Sequence, residues 1–177
     1  MEYNIDIYET DKRNRHRFAL GSLSKRTLFV IGLNPSTADD KEPDPTIKQV
    51  MFFTEKHEYE SFLMFNLYPL RTPHPQNLPQ VPDMKVVKEN VEKIFNIISQ
   101  EKNADIWVAW GGDILSRDYL WSCLEGIYLK LEKCSIRNWY RLGELLASGH
   151  PKHPSRKSHD LNFEKMDMKV YLENFKR

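Results

Sequence analysis

Three short runs constrain this chain most: "TLFVIGL" (residues 27–33), "SFLMFNL" (61–67) and "DIWVAWG" (105–111). Each is of strand length and nearly continuous in apolar residues. A strand with one wet face alternates, whereas a strand covered on both faces does not. The segments between them read as helices. Asp44 and Pro45 predict an N-cap and a first helical position opening "PTIKQVMFFTEKH". Asp83 predicts the cap of "MKVVKENVEKIFNIISQE", with Val86, Val87, Val91, Ile94, Phe95 and Ile98 along one face. "ILSRDYLWSCLEGIYLKLEK" reads as a further helix, "NWYRLGELL" as a fourth strand and "FEKMDMKVYLENF" as a closing helix.

Ahead of these, "EYNIDIYE" alternates as a strand does, and "RFALGSL" suits its hairpin partner. The turn between them carries Lys12, Arg13, Arg15 and Arg17. "YPLRTPHPQNLPQVP" holds five prolines in fifteen residues and predicts a loop. Strands alternating with helices predict one α/β domain over 1–177, with helices on both faces of a parallel sheet.

The formal net charge of +1 makes no bulk demand for a polyanionic partner, although a local basic patch suffices for one. Two cysteines, Cys123 and Cys134, are too few for a disulfide framework or a four-cysteine metal site. The N-terminus has no apolar signal region, and no apolar run approaches the roughly 20 residues of a membrane span. A cytoplasmic chain with reduced thiols and no membrane partner is expected.

Ligands of open α/β sheets bind at the carboxyl ends of the strands. Four polar clusters fall there and predict one cleft: Asn34 to Ser36, Asn66, Trp110 to Gly112, and the loop His150 to Ser155. An amide on a proline-stiffened turn, Asn34, can orient a water by accepting one of its protons. It is too weak a base to ionise that water, so it suits an electrophile that is already reactive, such as an oxocarbenium-like sugar centre. The same residue also suits a plain turn-capping role. Asn66 can donate and accept together, as reading a nucleobase edge requires, or it can satisfy neighbouring loop backbone. His150 and His153 can each donate to a carbonyl oxygen or an anion. With Lys152, Arg156 and Lys157 their loop forms a basic patch suited to phosphate, or a solvated loop. No metal is expected, because the histidines lack the helical His-Glu-x-x-His arrangement. Both cysteines read as structural.

Several of these stretches also carry a resemblance. "GLNPS" (32–36) resembles the Gly-Ile-Asn-Pro-Gly motif of the mismatch-specific branch of the uracil-DNA glycosylase superfamily. "FLMFN" resembles the strand whose terminal Asn reads uracil there, "WVAWG" a later strand, and "HPS" (153–155) the minor-groove loop. The four occur in the family's order, from about Leu28 to Ser155. "LNPSTAD", "DPTI", "NLYPLRT", "AWG" and "GHPKHP" together resemble the DUF1643 family, of which the chain is identified as a member.

The resemblance implies a three-layer α/β/α sandwich with a short, mainly parallel central sheet. It implies an enzyme that hydrolyses the N-glycosidic bond of a uracil-like or modified base in DNA, without metal or organic cofactor. Asn34 would position the water, Asn66 would read the extruded base, and Leu33 and Pro35 would also bind it. His153 would donate to the base's carbonyl oxygen. Ser36, Ser155, Lys152, Arg156, Lys157 and His150 would hold phosphates. Four departures matter: Ser36 stands where the motif has Gly, Arg156 and Lys157 stand where an apolar wedge would follow, the acidic insert Asp39 to Pro45 is foreign to the classical motif, and so is Arg71 to Pro75, which would shape a pocket for a base other than uracil. Single-stranded or distorted DNA is therefore the expected substrate. A nucleoside- or nucleotide-processing enzyme and a non-catalytic nucleic-acid- or protein-binding module are the rival expectations.

Overall fold

The computed structural model describes residues 1–155 and 157–175. The apolar runs become the middle of a seven-stranded mixed sheet. Its strands are β1 (Ile7–Thr10), β2 (Arg17–Gly21), β3 (Thr27–Gly32), β4 (Ser61–Asn66), β5 (Ala104–Val108), β6 (Ile136–Leu142) and β7 (Phe163–Lys165). Their order is β1-β2-β4-β3-β5-β6-β7. β3 runs parallel to β4 and β5, and β5 parallel to β6. The outer pairings β1–β2, β2–β4 and β6–β7 are antiparallel. Four central strands are therefore parallel as expected, while the sheet as a whole is mixed rather than mainly parallel.

Residues of β3 explain why the runs do not alternate. Leu28 and Val30 face one core, where α1 (Pro45–Lys56) contributes Ile47, Val50 and Phe53. Phe29 and Ile31 face the other core. There α2 (Met84–Ile98) adds Ile94 and Ile98, α3 (Asp118–Leu131) adds Leu120, Leu124, Ile127 and Leu131, and α4 (Met168–Asn174) adds Tyr171 and Leu172. Covered on both sides, the strand has no wet face to mark.

The caps form where expected. Asp44 Oδ1 accepts from the Ile47 N–H at 2.9 Å, with Pro45 in the first turn. Asp83 Oδ1 accepts from the Lys85 N–H at 2.9 Å. On α2 the buried stripe is Asn90, Ile94 and Ile98, with Val87, Val91 and Ile97 packed beside it. Val86 and Phe95 are only half-buried and lie outside that core. Asn90 is a polar residue on a core stripe for a stated reason: its Nδ2 donates to Asn66 O (2.9 Å) and Leu67 O (3.3 Å), carbonyls at and just beyond the end of β4.

Three sequence expectations need correction. "FEKMDMKVYLENF" is not one helix, since Phe163–Lys165 forms β7 on the open edge of β6. Asp167 then caps α4, accepting from the Val170 N–H at 3.0 Å, so the helical pattern had been read across its own cap. The long segment after β5 divides into a 3-10 turn (Gly112–Ser116) and α3, with Arg117 extended between them. The first strand starts only at Ile7, while Tyr3 and Ile5 pack against the α1-side core instead. Among the described residues no helix is long and apolar enough to cross a membrane.

Candidate functional site

The site forms where β3 stops. Leu67 N–H donates to Gly32 O (2.9 Å), Tyr68 N–H to Leu33 O (3.0 Å) and Thr72 N–H to Pro35 O (2.8 Å). The turn after β3 is thus held to the loop after β4. Asn34 completes this junction, with Nδ2 donating to Pro35 O (3.0 Å) and Thr72 O (2.8 Å). Both amide protons are committed to backbone, and that assigns the amide orientation. Oδ1 makes no hydrogen bond among the described residues, and Asn34 lines a cavity of about 240 Å³.

Leu33, Asn34, Ser36, Trp110, His153 and Ser155 share this cavity. Three of the four predicted clusters therefore meet. The meeting of β5 with the His-Pro-Ser loop depends on Gly111. Its φ of 72° and ψ of −174° belong to a region essentially restricted to glycine. A Cβ there would also lie 3.0 Å from the Cβ of His153.

His153 has a defined tautomer. The Ser155 N–H reaches its Nδ1 at 3.2 Å, and the Ser155 Oγ lies 2.8 Å away. A backbone N–H can only donate, so Nδ1 accepts and the ring proton sits on Nε2. Burial holds the imidazole below its ordinary pKa, against the opposing charges of Asp113 and Asp44, and Lys157 adds to the lowering. At neutral pH His153 is an uncharged Nε2–H donor.

The other predicted residues lie elsewhere. Asn66 is 1% exposed and does not line the cavity, and its buried Oδ1 and Nδ2 have no partner among the described residues. Met64, on the same face of β4, forms the wall in front of it. A Cβ on Gly32 would meet Met64 Cε at 2.5 Å and Asn66 Oδ1 at 2.9 Å, so the two side chains sit together over that glycine. Pro35 is buried under the turn. His150 faces a second cavity beside Trp121 and Phe175. Its Nδ1 pairs with the Tyr171 hydroxyl at 2.8 Å, and that hydroxyl accepts from Trp110 Nε1 at 3.3 Å. This chain of bonds ties the end of β5 to α4. Lys152 and Lys157 are half-exposed and off the cavity wall, and Arg156 lies outside the described residues.

The wall also includes residues that sequence reasoning did not place there, among them Arg17, Asp44 as more than a cap, Thr46 and Asp113. Arg17 was read with the basic turn, yet it is the first residue of β2 and only 2% exposed. The available signal was its place at the head of "RFALG", a run in which every residue is buried. Arg71, from the proline-rich loop, is a staple and not a wall. It donates to Ser36 O (3.2 Å), Thr37 O (2.8 Å), Ala38 O (3.1 Å) and Asn14 Oδ1 (2.8 Å), and also to the Tyr8 hydroxyl. Burial pushes the Cys123 thiol up to about 12, so it has no nucleophilic character. Among the described residues no three His, Cys, Asp or Glu side chains cluster as metal ligands would.

A family model described as a protein of unknown function, DUF1643, matches residues 17–155. The chain belongs to the DUF1643 family. The DUF1643 match opens at Arg17 and closes at Ser155, and both line the cavity. No curated protein and no solved structure matches the chain.

Proposed function

We propose that this DUF1643 protein hydrolyses the N-glycosidic bond of a uracil-like or modified base in single-stranded or distorted DNA. Its scaffold would be the three-layer α/β/α sandwich of the uracil-DNA glycosylase superfamily. One pairing carries the reading: Asn34, whose amide oxygen makes no hydrogen bond among the described residues, and His153, whose ring proton is on Nε2, line one cavity.

The two groups suit opposite ends of that reaction. The C1′–N bond breaks and its electron pair leaves with the base. The His153 Nε2–H donates to the base's carbonyl oxygen as that charge develops. Asn34 Oδ1 accepts a proton of the attacking water and aims it at the sugar cation. The C1′–O bond forms, one of the water's protons stays in the new hydroxyl, and the other passes through solvent to the departed base anion. An amide oxygen does not take a proton fully, so the sequence of events suits a base that leaves well.

A second reading has an observation of its own. The cavity is smaller than the roughly 300–1,000 Å³ of clefts for drug-sized ligands, and about 240 Å³ has room for a base or nucleoside. Arg17 is buried, and the half-buried Arg71 is committed to the carbonyls of Ser36, Thr37 and Ala38, so neither forms an open track for a duplex. Both facts favour a free nucleoside or nucleotide as the alternative substrate.

Labelled oligonucleotides carrying uracil, hypoxanthine, xanthine and modified cytosines, as single strands and duplexes, test the first reading. Alkali-labile sites made by the wild type and lost in Asn34→Ala support it. Absence of product on every oligonucleotide, with release of base from free nucleosides, replaces it by the second. Tight binding without product, unchanged in Asn34→Ala, points to a binding module.

A further inference from the structure

Arg17 is a buried cation whose hydrogen bonds are incomplete. It is 2% exposed, at the start of β2, and it lines the cavity. Nη1 donates to Ala38 O at 2.9 Å. Nε is buried without a partner, and Nη2 makes no bond among the described residues. Nε is enclosed by the fold, so Nη2 is the donor left for a ligand in the cavity. A buried guanidinium left this way is costly unless something completes it.

The surrounding groups do not complete it. Asp44 is the nearest candidate by charge, but its carboxylate is spent on backbone. Oδ1 accepts from the Ile47 N–H at 2.9 Å and Oδ2 from the Ala38 N–H at 3.3 Å. Arg17 forms no salt bridge among the described residues. Arg71 donates to the same Ala38 O at 3.1 Å and so adds a second positive charge nearby. Burial pulls the Arg17 guanidinium down to about 10, with Asp44 opposing, so it stays charged at neutral pH.

A second donor stands on the same wall. In the first turn of α1, Pro45 has no N–H, the Ile47 N–H goes to Asp44 Oδ1, and the Lys48 N–H goes to Asp44 O. That leaves the Thr46 N–H without a bond among the described residues, and Thr46 lines the cavity. An unbonded N–H at a helix N-terminus favours negative charge.

We infer that the cavity contains an oxyanion subsite, in which the uncommitted Nη2 of Arg17 and the Thr46 N–H hold a carboxylate or phosphate oxygen pair of the ligand. The inference deepens the glycosidase reading and rests on it for the anion's carrier. A ring carboxylate would make the target an acidic base, and a phosphate would make it the sugar-phosphate of a nucleotide. Asp44 and Asp113 on the same wall favour the singly charged carboxylate over a dianion.

Calorimetric titration with orotate, inorganic phosphate and neutral uracil tests this on the full chain. The expected result is saturable binding of an anion that exceeds uracil and weakens roughly tenfold to hundredfold in Arg17→Met. Arg17→Lys keeps the charge, loses the fixed Nη2 donor and gives an intermediate affinity, and it serves where Arg17→Met does not fold. Orotate binding through Arg17 identifies the acidic base, and phosphate binding through Arg17 identifies the nucleotide. Binding of neither anion, binding indifferent to both substitutions, or uracil bound as tightly overturns the inference. A protein that binds an anion through Arg17 but cleaves nothing refutes the hydrolase reading alone. One that cleaves and binds neither anion refutes the subsite alone.

Discussion

The Asn34 amide donates to Thr72 O at 2.8 Å across 38 residues of sequence, so one side chain closes the β3 turn onto the proline-rich loop and leaves its own oxygen uncommitted. This bond sets apart two substitutions that look alike. Aspartate at position 34 would be a better base, but it would face the carbonyls of Pro35 and Thr72 with an oxygen. Asn34→Asp is expected to lose about 1–3 kcal/mol of stability. Urea midpoints of Asn34→Asp and Asn34→Ala check this, and the prediction fails if the aspartate variant is the more stable.

Gly111 holds a backbone conformation that other residues avoid, with His153 pressed against it. Gly111→Ala is expected to cost about 1–3 kcal/mol and to displace His153 from the cavity. Thermal melting reads the first effect, and the His153 imidazole resonances read the second. Unchanged resonances would show that the loop does not depend on this glycine.

Burial holds His57, His150 and His153 below the ordinary imidazole value of about 6.5. Protonation is then harder in the folded chain than in the unfolded one. Between the two values the unfolded state binds more protons, so stability rises with pH there. The contribution is complete above about 6.5 and is lost as pH falls through the folded values. Melting temperature should therefore fall on acidification from neutrality, and His153→Gln should flatten part of that slope. A slope that His153→Gln leaves untouched would place the effect on the other two rings.

Asp105 provides a control far from the chemistry. It is 2% exposed near the start of β5 and accepts from the Tyr59 hydroxyl (2.9 Å), Arg137 Nε (3.1 Å) and Asn138 Nδ2 (2.9 Å). Asp105→Ala should cost about 1.5–3 kcal/mol and leave ligand binding by the folded protein intact. Weakened binding at a temperature where the variant is fully folded would contradict this.

The sequence by itself determined the parallel middle of the sheet, because doubly buried strands carry their own signature in "TLFVIG", "SFLMFN" and "ADIWV". It also determined the helix starts at Asp44 and Asp83, because caps are local chemistry. Placement of Asn34, Trp110 and His153 at one end followed from strand polarity. The edges were not legible, since β7 forms only where β6 leaves an unpaired side.

Two pieces of the candidate site were likewise decided only in three dimensions. Met64 and Asn66 sit on one face of β4, and the packing over Gly32 determines which of them reaches the cavity. Arg17 stands among basic residues in sequence, and burial by segments far along the chain turns it from a surface charge into a donor on the cavity wall. Local chemistry writes strands and caps into short stretches, whereas exposure and unmet hydrogen bonds are properties of the packed whole.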